Sequence, residues 1–293
     1  MVRLLNLIII GVTTGSLYAL VTVGFGLIFN ATHIFHLAHA AVICISAYIA
    51  YTVSVDHHVP LLLGFSIGLV ASVVVGIACE TFVYGPLRAR GSDPRSMFLM
   101  SVGLLTVAEG SLGAIYGPTA LSFSALPYTS VNTGSITVPW ANIWMLAAWP
   151  VVVVVGAYLK WAPSGRMIRA ISDNWRTAEA MGVRNRYYYK IVFGIGSALA
   201  APFALLFVWQ NGLTPTSGLP PLLIASAAVI LGGRESLVGG CIWALVLSLV
   251  GSLSTEIISP AWQLAVIFGL TFIVLLIKSM MTEGGLLTGE AAF

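Results

Sequence analysis

Charge is what this chain has least of. Acidic and basic side chains make up 8% of its 293 residues, where an ordinary soluble domain carries about 25%. A mean hydropathy of +0.98 and 58% hydrophobic residues override the one or two soluble domains that the length alone would suggest. The longest stretch outside the apolar runs is about 31 residues, too short for an independent catalytic core. Cysteine is equally sparse. Cys44, Cys79 and Cys241 stand in separate apolar runs without paired spacing, so neither a disulfide framework nor a zinc site is indicated. No HExxH, Ser-His or paired-Asp arrangement appears, and no Lys follows the first glycines as a phosphate-binding loop requires. The sequence is thus read as a non-enzyme, with no cofactor and no nucleic-acid partner expected.

What is present is a succession of long hydrophobic runs. A helix crossing a bilayer needs about 20 mostly apolar residues, and such runs are read at Leu4 to Phe29, Ile34 to Ser54, Leu61 to Tyr84, Met97 to Tyr116 and Trp140 to Leu159. Four more lie at Ile191 to Trp209, Leu219 to Leu231, Leu237 to Leu253 and Ala261 to Ile277, of which the run from Leu219 is short. The first run continues to Phe29 without a small-residue cleavage site, so it reads as a span rather than a removable leader. The expected fold is all-α and polytopic: about 8–10 membrane helices in one domain over residues 1–293, with a broken or re-entrant segment in the C-terminal half.

Between Lys160 and Lys190 the pattern inverts, because seven of the thirteen Lys and Arg residues lie there. Each would cost about 2.5 to 3.5 kcal/mol at the centre of a membrane helix, so the segment must lie in water. The positive-inside rule makes it a cytoplasmic loop and orients the rest. With nine crossings, twelve of the thirteen basic residues fall inside, Arg234 among them, and only Arg3 outside. If Leu219 to Leu231 dips and returns instead, the last two spans invert. The uncharged loop from Gly117 to Pro139, followed by Trp140, Trp144 and Trp149, suits the external face with its aromatic belt.

Several motifs bear on function. Gly11 and Gly15 stand at GxxxG spacing with Ala19 beyond, which permits close helix approach, either as plain packing or beside a solute path. Thr13, Thr14, Ser16 and Thr22 add hydroxyls there. His33, His36 and His39 recur every third residue at the start of the second span, a spacing that puts them on one helical face. They read as a hydrogen-bonded cluster at a helix end or as contacts on a transport path; no Asp, Glu or Cys accompanies them as metal sites require. Glu80 can reach Arg88 as an ion pair. Glu109, alone in its run, can pair with a histidine, bind the amino group of a solute, or sit protonated. The Pro- and Gly-rich breaks around Leu219 are of the kind that hold polar solutes at exposed helix ends.

Three stretches, GVTTGSLYALVTVGFGLIFNATHIFHLAHAAV, GRMIRAISDNWRTAEAMGV and AAVILGGRESLVGG, occur in an order and spacing that resemble the permease subunits of branched-chain amino acid type ABC importers. The likeness runs from about Gly11 to Lys278. It implies a permease in a bacterial inner membrane that pairs with a second permease subunit, binds two cytoplasmic ATP-binding subunits and receives solute from an extracytoplasmic binding protein, with membrane lipid around it. In such permeases the loop corresponding to 160–190 carries a coupling helix, which here maps onto Ser172 to Gly182. Ser172, Asp173, Asn174, Arg176, Ala178, Glu179, Met181 and Gly182 are then the expected ATPase-coupling residues. Asp173 is expected to cap that helix, Ala178, Ala180 and Met181 to form its apolar contact face, and Gly182 to end it. Thr14, Ser16, His36, His39 and Glu109 are the expected pathway residues. Two departures stand out: His36-Leu37-Ala38-His39-Ala40 where many members read NFAHG, and Gly232-Gly233-Arg234-Glu235-Ser236 where many have GGxGS. The solute implied is an amino acid of the branched-chain type or a related amide or urea. The competing reading is a stand-alone channel or secondary carrier for a small polar solute.

Overall fold

The computed structural model describes residues 2–123, 130–133, 136–233 and 236–288. Arg234 and Glu235 of the glycine-rich turn lie outside them, as does part of the uncharged loop. The chain opens with α1 (Val2–Thr32), a non-helical stretch over residues 33–38, and α2 (His39–Tyr51), which ends in a wide π-helical turn, Thr52–Asp56. α3 (Leu61–Ala78) passes through a second such turn, Cys79–Tyr84, into the short α4 (Gly85–Ala89), and α5 (Pro94–Tyr116) returns. Asp93 starts α5 by accepting from the Ser96 hydroxyl and the Ser96 N–H, which together hold its carboxyl below the usual range. A two-stranded antiparallel hairpin, β1 (Ser130–Thr133) and β2 (Ile136–Pro139), leads into α6 (Trp140–Met145) and α7 (Ala148–Trp161). Then follow α8 (Pro163–Ala180), α9 (Asn185–Asn211), α10 (Leu219–Gly232), α11 (Leu237–Ser254) and α12 (Gln263–Thr288).

Eight helical stretches among the described residues are long and apolar enough to cross a membrane. The expected all-α polytopic fold is therefore found, with one small hairpin added. α10 has 14 residues, and at 1.5 Å per residue it reaches only about 21 Å, short of the roughly 30 Å hydrocarbon layer. It does not work alone. Leu213 exchanges backbone hydrogen bonds of 2.7 and 2.9 Å with Leu121, which fixes residues 212–218 at the level where α5 ends. At the far end of α10, Lys278 of α12 donates through Nζ to the Leu231 carbonyl. Residues 212–218 and α10 thus form one discontinuous crossing, the broken segment expected from sequence.

The ends of the helices sort onto two faces. One gathers the end of α1, α4, the start of α5, α8 and the start of α9, around a cavity lined by Thr32, Arg88, Pro94, Trp175 and Asn185. Arg3 pairs with Glu256 at 2.7 Å on the opposite face, where α1 begins and α11 has ended. The first carries the basic loop and is called the basic face below.

The second span starts five residues later than its apolar pattern suggests. His33 adopts φ +56°, a left-handed conformation that ends α1, and the chain resumes helix only at His39. α1 is the central element. The predicted small face meets α11: a Cβ on Gly11 would lie 2.9 Å from Leu249 Cα, and one on Gly15 would lie 3.0 Å from Leu245 Cα. Further along, a Cβ on Gly24 would sit 2.8 Å from the Gly196 carbonyl oxygen, so α1 and α9 also cross backbone to backbone.

Gly15→Leu is expected to destabilise the detergent-solubilised protein by about 1 to 3 kcal/mol through overpacking against α11. Gly103→Ala, at a site with nothing within 4 Å of the added carbon, is expected to leave the thermal midpoint unchanged. Thermal unfolding monitored by circular dichroism checks both, and equal midpoints for the two variants would refute the packing assignment.

Candidate functional site: a polar core and a basic face

The chain break between α1 and α2 folds two imidazoles into the core. His36 and His39 are fully buried with ring centroids 5.8 Å apart. His36 Nδ1 lies 2.8 Å from the Tyr84 hydroxyl, and its ring packs edgewise on Phe193 and Tyr84 at 5.0 and 5.3 Å. The backbone is held by Ala38 N–H donating to Ser101 Oγ at 2.9 Å. His36 Nε2 and both ring nitrogens of His39 have no protein partner. Unpaired polar atoms in a dry interior cost about 1 to 3 kcal/mol each, so they mark a place where water or solute is wanted. His33 does not join them. It is exposed on the far side of the break, so the three histidines do not share one helical face as their spacing suggested. Among the described residues no group of three or more His, Cys, Asp or Glu is assembled for a metal.

Ser16 belongs to a second polar cluster nearer the opposite face. It accepts from Trp149 Nε1 at 2.9 Å, while neighbouring Thr13 accepts from Asn142 Nδ2 at 2.7 Å and Asn142 Oδ1 accepts from Gln210 Nε2. α1, α6, α7 and α9 are tied together through this chain. Thr14 is half-buried beside it. Glu109 sits apart on α5, half-buried, with Oε1 enclosed and unpartnered, and within electrostatic reach of Cys44 on α2. The expected pathway residues therefore fall into three places: His36 with His39, Ser16 with Thr14, and Glu109 between α5 and α2. The sequence reading singles out neither Asn142 nor Gln210, although one amide stands near the start of the run from Trp140 and the other directly after the run ending at Trp209.

The start of α10, where a broken helix would offer free N–H groups to a solute, is closed. Gly218 N–H donates to Cys44 Sγ at 3.2 Å and Leu219 N–H to the Thr216 carbonyl at 3.2 Å. Pro220 and Pro221 carry no N–H at all.

At the basic face the predicted Glu80–Arg88 pair is present and bidentate, at 2.7 and 3.3 Å, with Glu80 buried in the π-helical turn after α3. The Arg88 guanidinium also stacks 4.1 Å from the Tyr189 ring centroid of α9. α8 is two helices joined at Asn174, whose backbone leaves the helical region at φ −157°, ψ 99°. Asn174 caps the second of them: its Oδ1 accepts from the N–H groups of Arg176 and Thr177, both at 3.1 Å. The cap expected at Asp173 therefore lies one residue on, because the kink places the break there. Gly182 ends the segment at φ +88°, as expected. Ser172 bonds back to Ile168, and Asp173, Arg176 and Glu179 face outward. Ala178 does not. It is 4% exposed and packs with Ile171 and Tyr189, so the short helix turns Ala178 inward and presents Met181, 81% exposed, in its place. Asn185 ties this helix to α9 by donating from Nδ2 to the Trp175 carbonyl at 3.0 Å and to Glu179 at 3.5 Å.

Comparison with known proteins gives this geometry its context. Residues 7–275 match the family described as "Branched-chain amino acid transport system / permease component". The chain belongs to this family. Among its relatives are the high-affinity branched-chain amino acid transport system permease protein LivH of Salmonella typhimurium, 26% identical over 91% of both chains, and BraD of Pseudomonas aeruginosa, 25% identical over 92% of both. The autoinducer 2 import system permease protein LsrC of Photorhabdus laumondii is 29% identical over 47% of this chain and 44% of its own. Among solved structures, PsaBC from Streptococcus pneumoniae in complex with Fab aligns with a TM-score of 0.45 and 13% identity, covering 93% of this chain and 89% of that one. The family match covers both histidines of the polar core and the whole of α8.

Asn185→Ala removes both ties between α9 and the second half of α8. Hydrogen exchange of amides 175–181 is expected to accelerate by about tenfold, the equivalent of one to two lost hydrogen bonds, while amides of α1 and α11 stay protected. Unchanged exchange over 175–181 would show that the tie is dispensable.

Proposed function

We propose that this permease is the membrane subunit of an ATP-driven importer of branched-chain amino acids in a bacterial inner membrane, and that the second half of α8 is its coupling helix. The carrying observation is the family match over residues 7–275, joined to an exposed, capped helix anchored at one end of a membrane span. In this reading the basic face is cytoplasmic. The described basic residues apart from Arg3 lie on it, in accord with the positive-inside rule. Two ATP-binding subunits would supply the hydrolysis, a second permease subunit would complete the pathway, and an extracytoplasmic protein would deliver the solute.

The mechanics follow from the contacts. An ATPase pushing on Met181 and its neighbours would move the helix that Asn185 fastens to α9. α9 carries Tyr189 against Arg88 and Phe193 against His36, so displacement at the surface reaches the polar core through packed side chains. His36 and His39, with unpartnered nitrogens, would meet the solute deep in the core; Ser16 and Thr14 would meet it nearer the outside, and Glu109 would face its amino group.

Met181→Glu places a charge on the exposed contact without touching the buried Ala178. With the full set of subunits in proteoliposomes, uptake is expected to fall about tenfold, the scale set by desolvating one unpaired charge in an interface, while membrane insertion is retained. Unchanged uptake would sink the coupling assignment. Flux through the chain alone without ATP would instead sink the importer reading.

A further inference from the structure

A backbone amide can donate a hydrogen bond but not accept one, so a chain of hydroxyls that starts at an N–H has a direction. The Ala38 N–H is such a start. It donates to Ser101 Oγ at 2.9 Å, the Ser101 hydroxyl hydrogen-bonds the Tyr84 hydroxyl, and Tyr84 Oη lies 2.8 Å from His36 Nδ1. Ser101, Tyr84 and His36 are all fully buried. The wide turn Cys79–Tyr84 brings the phenol here: it sends Glu80 to Arg88 at the basic face and Tyr84 into the core, where the ring also rests on Phe193 at 5.5 Å.

Two arrangements of protons can occupy this chain. In one, Ser101 donates to Tyr84 and Tyr84 donates to His36 Nδ1, so that His36 keeps its own proton on Nε2. In the other, His36 Nδ1 donates to Tyr84 and Tyr84 donates to Ser101, which already accepts from Ala38. The Ser101 proton is then stranded, because Ser101 makes no further hydrogen bond among the described residues. His36 Nε2 is without a protein partner in both. The first arrangement therefore leaves one buried polar group unpaired and the second leaves two, and each such group costs free energy, so the first is favoured.

We propose that Tyr84 is a positioning residue of the solute path: it fixes His36 as the Nε2–H tautomer, so that the core offers a hydrogen-bond donor to a solute carboxylate. The protonated nitrogen of an imidazole is set by the bond that the other nitrogen makes. Nε2 is enclosed in this conformation, so the donor meets solute only once the core opens during transport. An N–H complements a carboxylate oxygen and has nothing to offer an ammonium group, the end assigned above to Glu109. The carboxylate rests on the importer reading; the tautomer rests on the hydrogen bonds alone.

The test is solid-state nitrogen NMR of the full chain in liposomes with isotope-labelled histidine, the His36 signals being those that vanish in His36→Gln. Nδ1 is expected in the unprotonated range and Nε2 in the protonated range. Tyr84→Phe is expected to add a second set of signals with Nδ1 protonated, as is Ser101→Ala, which keeps the phenol but removes the fixed direction. Tyr158→Phe, the same loss of a hydroxyl on α7, is expected to add none. A proton on Nδ1 in the unaltered chain, or a single set of signals in Tyr84→Phe, would overturn the relay. The solute half is read separately, from leucine uptake by the full set of subunits in proteoliposomes. Tyr84→Phe is expected to lower uptake about tenfold, the scale of one misplaced hydrogen bond. In the His36→Gln background it is expected to change nothing further, because a carboxamide carries its N–H without a tautomer. Equal loss in both backgrounds would reduce Tyr84 to packing. Undiminished uptake beside a second set of nitrogen signals would take His36 off the solute path. An unaltered assembly that takes up no leucine would fail the importer reading, with the nitrogen spectra still deciding the relay.

Discussion

Hydrocarbon neither donates nor accepts hydrogen bonds, and every irregularity in this bundle answers to that constraint. The chain leaves regular helix between α1 and α2 and between α9 and α10, and at both places a named partner covers the loose backbone. Ser101 receives the Ala38 N–H and Leu121 pairs with Leu213, while beside the first π-helical turn the side-chain hydroxyls of Thr52 and Tyr116 meet at 2.7 Å. At these two breaks neighbouring protein takes over the backbone groups that helix would have paired. The polar atoms left without a partner are correspondingly informative, since the two ring nitrogens of His39 are buried at a cost that no protein group offsets.

From the same constraint follows the importance of α1. Its glycines let two other helices approach to backbone contact, so α9 and α11 are positioned by α1 rather than by loops. α9 then links the two regions of interest. Asn185 holds the surface helix, Tyr189 stacks on the buried Glu80–Arg88 pair, and Phe193 packs on His36, at successive turns of one helix. Breaking one partner of a buried, bidentate ion pair costs about 3 to 5 kcal/mol, so the Glu80–Arg88 pair makes this stretch of the bundle stiff.

Most of the architecture could be read from composition, because the transfer cost of charge is large and unidirectional: long apolar runs became spans, and the cationic stretch became a surface segment. The paired Glu80 and Arg88 were legible for the same reason. Details decided by backbone geometry were not. Nothing in the apolar pattern marks His33 as left-handed, so the pattern begins the second span five residues too early and puts the histidines on a face they do not share. Ala178 looked outward on a straight helix; the kink at Asn174 rotated it inward. Asn142 and Gln210 escaped notice because a satisfied amide leaves the same trace in a sequence as an idle one.

The discontinuous crossing formed by residues 212–218 and α10 has a mechanical meaning of its own. A continuous helix is held by its own backbone ladder, but residues 212–218 replace that ladder with a bridge to Leu121 at one end and a turn closed by Thr214 and Ser217 and tied to Cys44 through Gly218 at the other. With Lys278 holding the opposite terminus of α10, the crossing is fastened to its neighbours at both ends, so its place in the bundle is set by α2, α12 and Leu121 rather than by one unbroken helix.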